Sequence, residues 1–203
     1  MKTLTRAAAG SALLVITVGC ASTGGSSGPP ARVRAHTGNF TAVPAACSLL
    51  SPETARALGL RAKGSEQPTA RRTGVQEKTC IWPAAAVHSG GRSLTVIADL
   101  FTAAGGQAPA AAAMAQFQEN TSTQEQADGN RGHAVSGLAN QAFINQVRRS
   151  SISQVQLVTR DQNVLVTIAY SGFGTASRPV PTSTLDDGAL TAARAALSAL
   201  SGS

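Results

Sequence analysis

The sequence predicts an α+β domain in which helices pack on one antiparallel sheet of about five to six strands. Segments with alternating apolar and polar residues, such as Ser93–Phe101, are typical of half-buried strands. Short turn sequences such as Asp161-Gln162-Asn163 join consecutive strands and favour hairpins. Hairpins accompanied by helices on a face give an α+β domain and not a parallel βαβ fold.

Residues 1–19 have the pattern of a bacterial lipoprotein signal peptide. Lys2 and Arg6 precede the apolar run Ala7–Val18, and small residues then lead to Cys20. Such a peptide is cut before the cysteine, whose sulfur and amine then carry acyl chains. The apolar run is too short for a transmembrane helix, which needs about 20 apolar residues. An ordinary secretory signal with an incidental cysteine is the alternative.

Residues 20–41 read as a flexible tether. The part from Ala21 to Pro30 consists almost wholly of Ala, Ser, Thr, Gly and Pro. Side chains of this size bury too little apolar surface to offset the entropy lost on ordering. Arg32 and Arg34 follow, so the segment is either a plain spacer or a contact with anionic lipid headgroups.

The folded domain is predicted to span residues 42–203, a length that suits one hydrophobic core. Large aromatic side chains are scarce, and alanine-mediated packing must replace much of their bulk. The expected aromatic core residues are Trp82, Phe101, Phe117, Phe143 and Tyr170.

Cys47 and Cys80 are the two cysteines of this domain, and two cysteines allow one intramolecular pairing. An exported protein meets oxidising conditions, so we expect a disulfide. It would close a loop of about 34 residues and stabilise the fold by roughly 3–4 kcal/mol. Further Cys or His at metal-ligand spacing are lacking, so neither a metal nor another cofactor is predicted.

The first helix of the domain has clear boundary signals. Ser51 is a good N-cap, Pro52 suits the first helical position, and Gly59 suits the end. The following residues, 61–78, are polar and basic and are predicted to form an exposed loop. Five basic residues of this loop are candidate binding residues for acidic wall polymers or anionic lipid: Arg61, Lys63, Arg71, Arg72 and Lys78. A solvated loop without a ligand is the alternative.

The later elements follow from hydrophobic periodicity and turn residues. A helix is predicted over Pro109–Ala127, with Met114 and Phe117 on one side. The predicted strands are Cys80–Trp82, Ser93–Phe101, a segment around Val135, Ala142–Val147, Ser151–Arg160 and Asn163–Tyr170. A closing helix is predicted over Thr182–Leu200, with one apolar stripe made of Leu185, Ala189, Ala193, Ala196 and Leu200.

Several motifs resemble those of a family of actinobacterial lipoproteins known only as a domain of unknown function. They are Ala-Cys-Ser-Leu-Leu-Ser at 46–51, Leu58-Gly59, Cys80-Ile81-Trp82 and the Gly-rich segment 137–142. The chain departs from the family at Asn140-Gln141, where acidic residues are usual. The resemblance implies a disulfide-linked α+β domain akin to the extracellular sensor domains of mycobacterial-type kinases. It supplies no catalytic residues.

Catalytic motifs give little signal. A Gly-x-Ser-x-Gly elbow and a phosphate-binding Gly-rich loop are missing from the predicted domain, residues 42–203. Asp99 with His133 as its base is the one acid–base pair worth testing, although Asp99 as a solvent-facing strand residue is the simpler interpretation. The arginines have no interleaved aromatic residues, which argues against nucleic acid.

We therefore expect an exported lipoprotein on the outer face of the cell membrane, with a non-catalytic domain that binds an envelope ligand or a protein partner. Loss of Lys2 and Arg6 with the signal peptide lowers the formal net charge from +7 to +5. The alternatives are an envelope enzyme acting on wall or lipid substrates and a purely structural role.

Overall fold

The computed structural model describes residues 33–84, 90–126, 132–149, 152–175 and 178–202. The predicted signal peptide, Cys20 and most of the predicted tether lie outside these ranges, as does His88. The described residues belong to one compact unit, 32–203. No helix among them is long and apolar enough to cross a membrane.

Three α-helices, one 3₁₀-helix and eight strands make up the described fold. The helices are the 3₁₀-helix Ala46–Leu49, α1 Pro52–Ala57, α2 Pro109–Gln126 and α3 Thr182–Ser201. The strands are β1 Ser65–Glu66, β2 Ala70–Arg72, β3 Val75–Trp82, β4 Arg92–Phe101, β5 His133–Ala134, β6 Gln141–Arg149, β7 Ile152–Asp161 and β8 Val164–Phe173.

The strands form one antiparallel sheet in the order β1-β3-β4-β8-β7-β6-β5, and β2 also pairs with β3. The predicted α+β class and single disulfide are confirmed, but the sheet has eight strands where five to six were expected. The prediction of a loop over 61–78 is wrong, because β1, β2 and the first half of β3 lie there. β1 and β2 are exposed edge strands, so they lack the apolar alternation that reveals a strand in sequence.

The first face of the sheet is covered by α3, the 3₁₀-helix and residues 33–43. Its β4 residues Leu94 and Val96 and its β8 residue Tyr170 are fully buried. The predicted stripe of α3 is confirmed, since all five of its residues are at most 1% exposed. The helix approaches closely at Gly188, where a Cβ would lie 2.3 Å from the Tyr170 ring.

The second face carries α2 over a smaller core. This core consists of Phe101, Ala113, Phe117, Phe143, Val158 and Leu165. All five predicted aromatic core residues are buried. Met114, expected on the same side of α2 as Phe117, is instead 41% exposed. Ala113 lies four residues before Phe117 and therefore shares its face, while the next position is rotated by about 100°.

The N-terminal segment 33–43, of which residues 33–41 were predicted as tether, is packed against the domain. Val33 forms a bridge with Leu138, and Phe40 is only 9% exposed. Asn163, in the β7–β8 turn, accepts from the Phe40 backbone N–H at 2.7 Å and donates to the Phe40 and Phe101 carbonyls. The described fold thus begins about ten residues before the predicted boundary at residue 42.

Candidate functional site

A pocket of about 570 Å³ lies beside the disulfide, between two stretches of chain, 45–52 and 62–66. We call it the disulfide pocket. The 3₁₀-helix and the start of α1 form one wall, and the segment leading into β1 forms the other. The predicted helix start is confirmed, since the Ser51 side chain accepts from the Thr54 backbone N–H at 3.1 Å. The predicted stop is also confirmed, because Gly59 has a φ of +72°.

The disulfide joins the 3₁₀-helix to the sheet. Cys47 and Cys80 are bonded, and their Cα atoms lie 5.0 Å apart, as the cysteine count predicted. Cys80 is fully buried in β3, whereas Cys47 lines the pocket and is half-buried. The bond therefore holds the helical wall at a fixed position relative to the sheet.

Glu66 connects the two walls a second time. Its Oε1 and Oε2 atoms accept from the backbone N–H groups of Ala46 and Cys47, each at 2.8 Å. These N–H groups belong to the first turn of the 3₁₀-helix, where they have no hydrogen-bond acceptor within the helix. Glu66 is also the register partner of Cys80 on β3. The carboxylate and the disulfide thus act on the same turn from neighbouring positions.

Gly64 allows the second wall to lie directly on the sheet. A Cβ at this position would be 2.5 Å from the Cys80 Sγ and 2.7 Å from the Trp82 ring. Any larger residue would push this wall outward. Trp82, 1% exposed, is therefore the support behind the pocket and a built-in fluorescent reporter of its state.

The five basic candidate residues do not form one cluster. Lys63 lines the disulfide pocket, and Arg61 is exposed two residues before it. Arg71 and Arg72 are successive strand residues and so point to opposite faces of the sheet. Lys78 does not face outward, because its Nζ donates to the Val43 carbonyl at 2.6 Å. Of the five predicted binding residues, Lys63 lines the pocket and Arg61 lies close to it in sequence, whereas the other three lie elsewhere.

Asp99 belongs to a charged group on the second face. Arg72 Nη2 lies 3.8 Å from Glu77 Oε2 and 4.0 Å from Asp99 Oδ1. Burial and, to a smaller extent, the neighbouring Glu77 charge raise the pKa of Asp99, while Arg72 lowers it, and together they bring the pKa to about 6. The side chain is 15% exposed. Asp99 can therefore exchange a proton near neutral pH.

The predicted pairing of His133 with Asp99 is wrong. His133 lies on β5 and Asp99 on β4, and the strands β8, β7 and β6 lie between them. Four strand intervals of about 4.8 Å separate the two by roughly 19 Å. His133 instead lies near Asp186, where its charge lowers the pKa of that carboxyl against a larger rise caused by burial.

A second pocket, of about 340 Å³, is formed by residues 36 and 39–44. The His36 ring stacks on Phe40 with the ring centroids 4.4 Å apart. Both oxygens of Asp161 accept from the His36 backbone N–H, at 3.0 and 3.1 Å. This pocket was not predicted, because residues 36 and 39–41 were assigned to the tether; the aromatic rings of His36 and Phe40 were the available signal.

The ligand atoms of Cys47, Glu66 and Cys80 lie within 4.8 Å of one another, which is close enough to surround a metal ion. However, the two sulfur atoms are bonded to each other, and both Glu66 oxygens accept backbone hydrogens. The oxidised protein therefore offers a shaped pocket here and not a set of free ligands.

No protein-family model, curated protein or solved structure matches this chain significantly. Cys20, the predicted lipidation site, lies outside the described residues. The candidate ligand site of the described fold is the disulfide pocket.

Proposed function

We propose that this protein is an exported lipoprotein, held on the outer face of the cell membrane by an acylated Cys20, and that its domain is a non-catalytic binding module. The proposed ligand site is the disulfide pocket, and its fixed walls are the observation that carries the proposal. The signal-peptide pattern that ends at Cys20 supports export and acylation.

The walls support binding because they are organised before any ligand arrives. The disulfide and the Glu66 carboxylate fix the 3₁₀-helix against the sheet, and the Ser51 cap fixes the start of α1. A site fixed in this way loses little conformational entropy on binding, which favours affinity. Its volume of about 570 Å³ falls among small-molecule sites, which span about 300–1,000 Å³.

Membrane anchoring is tested by comparing the wild-type protein with a Cys20→Ala variant. We expect the wild type in the membrane fraction, with a diacylglyceryl group on Cys20 detected by mass spectrometry. The variant should lose that group and its detergent-phase partitioning. A wild-type chain released into the medium without an acyl group would instead support ordinary secretion.

Ligand binding is tested by recording the thermal stability of the exported chain, in the Cys20→Ala background, against envelope lipids, wall fragments, sugars and metal ions. A ligand that binds only the native state raises the Tm in a saturable way. The matched control is Ala62→Phe, which fills the pocket. The proposal requires a Tm rise that this variant abolishes, and a flat panel or an unaffected rise would contradict it.

An envelope enzyme is the second candidate, and Asp99 is the observation that favours it. A carboxyl with a pKa of about 6 beside Arg72 and Glu77 has the proton affinity of a general acid or base. Asp99→Asn decides this point in assays with wall and lipid substrates. Turnover by the wild type that this variant abolishes would favour the enzyme over the binding module.

A further inference from the structure

The polar side chains of the disulfide pocket are mostly bonded within the chain. Ser48 donates its hydroxyl to the Ala45 carbonyl at 2.7 Å. The Ser51 hydroxyl accepts from the Thr54 backbone N–H, and both Glu66 oxygens accept from the 3₁₀-helix. A polar group of the ligand therefore has little to gain from these three side chains.

Lys63 is the exception among the polar residues of this pocket. It is exposed, and within the described part of the chain its ammonium group forms no ion pair. Arg61 adds a second exposed positive charge two residues away. The negative charge of Glu66 is partly balanced, because its two oxygens face the positive end of the 3₁₀-helix. The rim of the pocket thus favours an anion.

The rest of the lining is apolar. Ala45, Leu50 and Pro52 contribute hydrocarbon from one wall, Ala62 contributes a methyl group from the other, and Cys47 also lines the pocket. Such a surface gains stability by covering an apolar body and gives no directional hydrogen bonds.

We infer that the disulfide pocket binds a small anionic amphiphile, represented below by a medium-chain carboxylate, with its anionic group on Lys63 and its hydrocarbon chain on the apolar walls. This inference rests on the proposed function, since it names the ligand class of that site. It is derived from Lys63, the one cation among the residues that line the pocket, and from the hydrocarbon lining behind it.

The experiment titrates the oxidised, exported chain with three probes that share one hydrocarbon tail: decanoate, decanol and decyltrimethylammonium. All probes are kept below their micelle concentrations. Binding is followed by calorimetry and by the fluorescence of Trp82, the one tryptophan of the chain. We expect saturable binding of decanoate, with decyltrimethylammonium at least tenfold weaker.

Two variants, one of Lys63 and one of Arg71, test whether the charge at the pocket itself is needed to bind the anionic probe. Lys63→Gln should weaken decanoate binding about threefold to fivefold, as expected for loss of an exposed ion pair, and leave decanol binding unchanged. Arg71→Gln is the matched control, since Arg71 is also an exposed basic residue but does not line this pocket. It should have no effect. Unchanged Tm values of both variants establish that they are folded.

Three results would overturn the inference. They are equal affinity for the three probes, decanoate binding that Lys63→Gln leaves intact, and the absence of decanoate binding. Ala62→Phe distinguishes these failures from failure of the proposed function. If that variant abolishes binding of decanol or of another ligand from the panel, the pocket is a binding site for a different ligand class. If no ligand depends on the pocket, the proposed function fails as well.

Discussion

Removing the disulfide should cost a large part of the stability of this domain. In the double variant Cys47→Ala/Cys80→Ala the bond that links the 3₁₀-helix to β3 is absent. The two cysteines are 33 positions apart, so the closed loop contains about 34 residues. The chain-entropy relation then gives about 12–13 cal/mol/K, or close to 4 kcal/mol at 25 °C, of lost stabilisation.

Packing adds a smaller contribution to this loss. Cys80 is fully buried, so truncation to alanine removes a sulfur atom from the core and costs on the order of 1 kcal/mol. The total of about 4–5 kcal/mol is large against the 5–15 kcal/mol typical of whole domains. The domain should still fold, because the backbone bonds to Glu66 continue to hold the 3₁₀-helix on β1.

The same loss can be expressed as a change in melting temperature. A unit of roughly 170 residues has an unfolding entropy of about 0.36 kcal/mol/K near its Tm. A loss of about 4–5 kcal/mol therefore lowers the Tm by roughly 11–14 °C. Because the variant also alters core packing, the wild type reduced with a phosphine supplies a second estimate of the contribution of the bond alone.

The assay is urea unfolding followed by Trp82 fluorescence, with Cys20 replaced by alanine in every sample. Trp82 is 1% exposed and lies two residues after Cys80, so its emission reports unfolding of this region. Ser48→Ala is the matched control, since it alters the same turn without touching the bond. A double variant within about 1 kcal/mol of the oxidised wild type would refute the reasoning.

Three further substitutions test other parts of the fold. Gly188→Ala should lower the Tm and reduce the free energy of unfolding by about 1–2 kcal/mol. The new Cβ would overlap the buried Tyr170 ring, and this cost outweighs a helix-propensity gain of about 1 kcal/mol. A higher Tm would contradict this. Burial raises the pKa of Asp99 from its ordinary 3.8 to about 6, so between these values the folded state binds more protons than the unfolded state and stability falls as the pH rises. Asp99→Asn should therefore stabilise the domain above pH 6, by at most about 3 kcal/mol, and should not stabilise it below pH 4. Urea unfolding at the two pH values measures this difference, and an equal effect at both would contradict a raised pKa of Asp99. Asn163→Ala should cost about 3 kcal/mol and speed hydrogen exchange at the Phe40 amide, which loses its partner; an unchanged exchange rate would show that the segment is held by other contacts.

The features that the sequence predicted correctly depend on local patterns. The start of α1 follows from Ser51 and Pro52, whose preferences act within one turn. The β7–β8 hairpin follows from the turn at residues 161–163, where Gln162 adopts a φ of +53°. The buried stripe of α3 follows from helical periodicity alone.

The features that were missed depend on contacts between distant residues. The edge strands β1 and β2 are polar, and only their hydrogen bonds to β3 make them strands. Phe40 is buried because Asn163, more than a hundred residues away, binds its backbone. The disulfide pocket was missed for the same reason. Its second wall exists only because β1 pairs with β3 and Gly64 permits close approach to Trp82.

Val33, the first described residue, and the disulfide pocket lie at opposite edges of the sheet. Val33, where the described chain begins, bridges to Leu138 beside β5 and β6, whereas Glu66 of the pocket lies on β1. Six strand intervals of about 4.8 Å separate these edges by roughly 29 Å. A ligand in the disulfide pocket is therefore separated by the whole width of the sheet from Val33, the first residue that the structure describes.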